Sequence, residues 1–68
     1  MDYTIRIRQI RQGKGMTQTD VAKLLGTTQQ HYARYENKAS DIPANRIIEL
    51  CHIFNVSADY LLGLKDEE

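Results

Sequence analysis

Apolar residues along the chain recur at the spacing of helices rather than strands. Tyr3, Ile7 and Ile10 fall at i, i+4 and i+7 of a single face. Taken alone, "IRIR" alternates like a strand, but Ile10 breaks the alternation and the longer window predicts a helix. Gly13 and Gly15 end it in a turn around Lys14. A second helix starts at Thr17, a good N-cap, with Asp20 three residues on as a short-armed capping box and Met16 placed to staple onto Val21. Val21, Ala22, Leu24 and Leu25 form its expected apolar face, and Gly26 supplies the left-handed residue that stops it.

Either Thr27 or Thr28 caps the next helix, so the two are joined by only three or four residues with a glycine among them. That is the length and chemistry of a helix-turn-helix. Beyond Lys38 a loop runs to Pro43, which suits the first turn of a helix because its missing N–H would be unpaired there. Ile47, Ile48, Cys51 and Phe54 mark the expected buried side of this fourth helix, which stops near Asn55. Ser57 caps a last short helix with Tyr60, Leu61 and Leu62, and Gly63 ends it. The expected architecture is all-α, with five helices and no strand.

The third helix anchors on one side and displays polar groups on the other. With Gln29 set to zero and about 100° per residue, Tyr32 and Tyr35 fall near about 300° and 240°, while Gln30, Ala33, Arg34 and Asn37 lie between about 40° and 140°. Gln29 lies on the flank. An α-helix fits the major groove of duplex DNA, where glutamine donates to and accepts from adenine and arginine forks onto guanine, each good pair giving about 1–3 kcal/mol of discrimination. Ala33 is small enough to let the axis approach base edges. The helix starts at Thr17 and Thr28 add N–H groups and positive dipole ends suited to phosphate oxygens. Thr27 to Gln30 also fits a threonine-to-glutamine capping box, in which Gln30 would only satisfy a backbone donor.

Length and charge refine this picture. At 68 residues the chain is one domain, expected over residues 1–64 with a solvated acidic tail at 65–68, and is small enough that oligomerisation would help it. Net charge is zero, yet residues 1–38 carry seven Lys/Arg against three Asp/Glu and residues 39–68 carry two against six, so the halves differ in sign. Cys51 is the single cysteine, which excludes an internal disulfide and favours a reducing, cytoplasmic setting. Arg6, Arg8 and Arg11 interrupt the isoleucines and exclude a signal peptide or membrane span at the N-terminus.

The stretch "MTQTDVAKLLGTTQQHYARYEN", followed by "IPANRIIELCHIFNVSADYLLG", resembles the Cro and phage-repressor type of helix-turn-helix, often called the XRE family. The resemblance runs from Met16 to Gly63 and implies a five-helix, lambda-repressor-like domain that binds a palindromic operator on double-stranded DNA as a homodimer. By the same resemblance, Gln18 matches a phosphate-contacting glutamine at the start of the second helix, and Gln29 and Gln30 match a base-reading pair. Arg34 matches a further outward position, Asn37 and Lys38 match a phosphate-contacting loop, and Arg11 and Glu36 match an ion pair tying the first helix to the end of the third. Where the family has glycine after the asparagine this chain has Lys38, so Asn37 is expected to take the left-handed cap itself. Cys51 and His52 stand where small residues are common.

The remaining residues divide between core and surface roles. His31 lies beside the tyrosines and reads as a packing or flank residue. Cys51 and His52 are adjacent and diverge on a helix, which makes no zinc site. Tyr60, Leu61, Leu62 and Leu64 place more apolar surface at the C-terminal end than a short helix buries, as a dimer seam or as closure of the core. No phosphate loop, metal cluster or nucleophile–base pair is present, so an enzyme, a cofactor and a small-molecule substrate are not expected. The reading is a DNA-binding transcriptional repressor; the alternative is a protein-interaction module, an antitoxin or anti-repressor, built on the same fold.

Overall fold

A computed structural model describes residues 2–67, in which every regular element is a helix. These are α1 (Tyr3–Gly13), α2 (Gln18–Leu25), α3 (Gln29–Glu36), α4 (Ala44–Phe54) and α5 (Ala58–Leu61). Met1 and Glu68, the outer ends of the expected domain and tail, lie outside the described residues.

Local chemistry sets most boundaries. Thr17 accepts from the Asp20 amide at 3.0 Å while the Asp20 carboxylate accepts from the Thr17 amide at 2.8 Å, a complete capping box. Thr28, not Thr27, caps α3 by accepting from the His31 amide at 3.1 Å. The threonine-to-glutamine capping box is therefore not formed, and the Gln30 side chain is exposed. Gly26 is left-handed at φ 74° and Asn55 at φ 56°, each closing its helix. Pro43 is the N-cap of α4, one position ahead of its expected first-turn place.

The end of α3 differs from expectation. Asn37 stays at φ −97°, and Lys38 takes the left-handed conformation at φ 68°. The reason is local: the Asn37 carboxamide accepts from the Ala39 amide at 3.0 Å, and that turn shifts the left-handed residue one position on. Lys38 thus occupies a conformation that costs a side-chain-bearing residue roughly 1 kcal/mol.

The core draws on all five helices: Ile7 and Ile10 from α1, Val21, Ala22 and Leu25 from α2, Tyr32 and Tyr35 from α3, Leu50 and Phe54 from α4, and Leu61 from α5. α3 packs against α2 and α1, α4 against α2 and α5, and α5 returns to α1. Three apolar assignments change. Leu24 and Ile48 are 61% and 58% exposed, because each sits about 100° round its helix from the inward stripe, and Leu50 takes the core place instead. Leu61 is fully buried in its own core and is not available to a dimer seam, whereas Leu64 is 75% exposed.

Arg6, which the sequence shows only as a charge interrupting the isoleucines, is buried. It is 5% exposed, stacks 4.3 Å from the Tyr60 ring centroid, and donates to the carbonyls of Tyr60 at 2.7 Å and Lys65 at 3.1 Å. Asp66 approaches it at 3.6 Å. The expected solvated tail is in this way pinned to α1 at its first residues. Among the described residues no helix is long and apolar enough to cross a membrane.

Candidate nucleic-acid interface

α2, the turn at Gly26 and α3 bring the two capped helix starts and the outer face of α3 into one region. Tyr32 and Tyr35, 0% and 3% exposed, hold α3 from behind with their rings edge to face at 6.3 Å. This leaves Gln30 and Arg34 exposed and Gln29 and Ala33 half-buried. The wheel geometry of the helix is realised.

A hydrogen-bonded chain runs from the inside of the molecule to that face. Glu36 is 2% exposed and forms a bidentate pair with Arg11, Nε to Oε2 at 2.7 Å and Nη2 to Oε1 at 3.1 Å. Arg11 spends its remaining nitrogen on the Met16 carbonyl at 2.9 Å, the residue that leads into α2. Gln18 then donates to Glu36 Oε1 at 3.1 Å, and Gln29 donates to Gln18 Oε1 at 2.7 Å. Burial pulls the Glu36 pKa upward, but the Arg11 bonds, the nearby Tyr32 hydroxyl and the Gln18 bond outweigh it and hold the carboxylate below its usual range. Burial first, and then the adjacent Glu36 charge, push the Tyr32 phenol up; its hydroxyl is fully buried without a hydrogen-bond partner of good geometry. Arg8 adds a contact at 3.6 Å to the same carboxylate and donates to the Glu36 carbonyl at 3.2 Å.

The ion pair of Arg11 and Glu36 is therefore present and buried. Gln18, expected to face phosphate, has its carbonyl and one amide hydrogen committed inside the protein, which leaves its second amide hydrogen for a ligand. Gln29 keeps its own carbonyl and one amide hydrogen.

Two further candidates are engaged. The Arg34 guanidinium reaches along the C-terminal end of α3, donating from Nε to Ser40 Oγ at 3.1 Å and from Nη2 to the Ala39 carbonyl at 3.2 Å, so it braces the following loop. The Lys38 ammonium pairs with the Asp2 carboxylate. Asp2 in turn caps α1, accepting from the Thr4 amide at 2.8 Å and its hydroxyl at 2.6 Å, and the Lys38 contact with these bonds takes the Asp2 pKa down to about 2. His31 is exposed and bonded through Nε2 to the Tyr35 hydroxyl at 2.9 Å.

Sequence reasoning missed the links of Gln18 to Gln29, Arg34 to Ser40 and Lys38 to Asp2. Each joins separate helices or a helix to a loop, and a wheel drawn for one helix carries no such signal. Asp2 alone had a local clue, since an aspartate immediately before a helical stripe is a strong N-cap.

The helix-turn-helix family matches residues 7–61 of the chain. The chain is 32% identical over 65 residues to an uncharacterized HTH-type transcriptional regulator, YobD, of Bacillus subtilis (strain 168), an alignment covering 96% of this chain and 58% of that protein. It is 37% identical over 62 residues to the HTH-type transcriptional regulator ImmR of the same organism, covering 91% of this chain and 48% of ImmR. An SPbeta prophage-derived uncharacterized HTH-type transcriptional regulator of that strain, YonR, is 35% identical over 57 residues, with 84% and 53% covered. The chain thus spans about half the length of the curated relatives it matches. With the capped helix pair, the glycine turn and a match over residues 7–61, the chain belongs to the XRE-type helix-turn-helix family.

Proposed function

We propose that this chain is a sequence-specific double-stranded DNA-binding unit of a transcriptional regulator, acting as a repressor on a palindromic operator. The observation that carries the reading is the outer face of α3. The Gln30 side chain is exposed and has no hydrogen bond among the described residues, and beside it Gln29 is held by Gln18 with half of its amide still unspent. The names of the relatives as HTH-type transcriptional regulators support the regulatory role.

In this reading Gln29, Gln30 and Arg34 meet base edges, Arg34 by exchanging its Ser40 contact or by using Nη1. Thr17, Gln18, Thr28, Asn37 and Lys38 meet phosphates, and Lys38 does so in competition with Asp2. A homodimer through Tyr60, Leu62 and Leu64 would set two α3 helices about 34–36 Å apart, one duplex turn.

Selection of bound sequences from a random duplex pool tests these statements together. The expected result is an enriched sequence with two-fold symmetry and half-sites about 10 base pairs apart. No enrichment at moderate salt removes the proposal. A single unpaired half-site removes the dimer, and so does sedimentation as a monomer at a concentration where Leu64→Glu makes no difference.

A further inference from the structure

We infer that His31 is a further specificity-determining residue of α3, reading a hydrogen-bond acceptor on a purine edge, with Tyr35 as the residue that positions it. This rests on the reading of α3 as a base-reading helix. His31 stands in the first turn of α3, directly after Gln29 and Gln30, and its side chain is exposed. On the wheel it lies about 60° from Arg34 and about 40° from Tyr35, so it borders the outward face and still touches the buried one.

Two contacts hold the ring. Its Nε2 is 2.9 Å from the Tyr35 hydroxyl, and the two rings meet edge to face at a centroid separation of 5.0 Å and an interplanar angle of 84°. Tyr35 is itself immobilised, at 3% exposure, against Tyr32. An exposed histidine fastened through one nitrogen to a core tyrosine differs from an ordinary surface side chain: its rotamers are already restricted before any partner arrives. That lowers the ordering cost of a contact.

The contact couples the ring tautomer to the direction of this hydrogen bond, and in the inferred arrangement the tyrosine is the donor. A phenol hydroxyl donates readily to a neutral imidazole nitrogen, and when the Tyr35 hydroxyl donates to Nε2 the ring proton resides on Nδ1. Nδ1 has no partner among the described residues. In the major groove an N–H donor finds N7 on adenine or guanine, O6 on guanine and O4 on thymine; the inferred contact is to purine N7, which 7-deaza substitution tests directly. With the tyrosine as donor, Nδ1–H seeks an acceptor on the base edge, and Tyr35 sets that polarity.

The test compares wild type, His31→Ala and Tyr35→Phe, the last keeping the ring and its packing while removing the hydroxyl. Each is taken through selection from a random duplex pool. Affinity for the wild-type selected duplex and for a scrambled duplex is then measured by fluorescence anisotropy. His31→Ala is expected to lose the purine preference at one position per half-site and to weaken the selected duplex about tenfold, with the scrambled duplex and the salt dependence unchanged. Tyr35→Phe is expected to flatten the same position by a smaller factor. Replacing that purine by its 7-deaza analogue should weaken wild type and leave His31→Ala unaffected.

Unchanged selected sequences for both variants overturn the inference, as does an equal loss on the scrambled duplex, which would make His31 a phosphate contact. A 7-deaza effect that survives His31→Ala overturns it as well. If wild type selects no sequence at all, the base-reading role of α3 fails and this inference falls with it, an outcome visible before either variant is compared.

Discussion

Replacing Arg11 by methionine should come close to unfolding the domain, while replacing Arg11 and Glu36 together by methionine and leucine should largely restore it. Glu36 is 2% exposed, and its carboxylate is balanced chiefly by the two Arg11 bonds at 2.7 and 3.1 Å. Removing one member of such a pair leaves a buried charge and typically costs about 3–5 kcal/mol. Arg8 at 3.6 Å and Gln18 at 3.1 Å remain beside it, so the lower end applies, about 3 kcal/mol. A domain of this size has a total stability of roughly 3–10 kcal/mol. With a urea m-value of about 1 kcal/mol/M, the midpoint should fall by about 3 M. Apolar replacement of both partners is commonly neutral to within about 1–2 kcal/mol, which gives a coupling of at least about 2 kcal/mol in the double-mutant cycle. Urea titrations followed by far-UV circular dichroism at pH 7 measure all four corners. A coupling below about 1 kcal/mol would sink the argument, because the pair would then behave as a screened surface contact.

Four shorter predictions follow from the same geometry. Lys38→Gly should stabilise the domain by about 0.5–1 kcal/mol by relieving the backbone at φ 68°, whereas Lys38→Ala, which keeps the left-handed strain, should show no gain in the same urea titration. Thr17→Ala removes the capping box of α2 and should cost about 1 kcal/mol, read from the denaturation midpoint. The carboxyl groups of Asp2, Asp20 and Glu36 all have pKa values lowered by folding, Asp2 to about 2, so the unfolded chain takes up protons first. The melting temperature should accordingly hold level above their ordinary pKa range and drop as pH falls through it toward 2; equal melting temperatures at pH 7 and pH 3 would contradict this. On the proposed reading, the logarithm of non-specific duplex affinity should fall with the logarithm of salt with a slope of only about −2 to −3 per protomer.

What the chain discloses before folding is mainly what neighbours in sequence decide. The caps at Thr17, Thr28, Asn55 and Ser57 and the glycine at 26 each act within four residues, and they delimit the helices correctly. The outward set Gln30 and Arg34 was legible because two tyrosines on one short helix leave little choice of buried side. Composition misled where hydrophobicity was equated with burial: Leu24 and Ile48 are apolar and exposed, while Arg6 is charged and buried, stacked on the Tyr60 ring and donating to the carbonyls of Tyr60 and Lys65. At the site, the identity of the candidates was readable but their occupancy was not. Whether Gln18, Arg34 and Lys38 are unspent depends on Glu36, Ser40 and Asp2, and those distances arise only when the helices have packed.

The same redistribution is why a shallow salt dependence is expected. Counted along the sequence, seven cations in the first 38 residues suggest strong phosphate attraction. In the folded domain Arg6 and Arg11 are buried against carbonyls and a carboxylate, Arg8 leans on Glu36, and Lys38 is paired with Asp2. Lys23 and Arg34 are exposed on α2 and α3. Each cation that neutralises a phosphate contributes a slope of about 0.9, whereas helix N–H groups and glutamine amides hold phosphates without adding charge. A slope near −6 per protomer would need about seven cations on phosphate, every Lys/Arg of the chain other than the buried Arg6 and Arg11, from all sides of the domain at once, and would break the link between this fold and the proposed mode of binding. A slope near −2 to −3 fits a surface on which neutral donors set the register and a few cations supply the attraction. On the proposed reading, specificity rests on amide orientation, which the Arg11–Glu36 pair governs through Gln18 and Gln29, so one connected set of side chains serves both stability and reading.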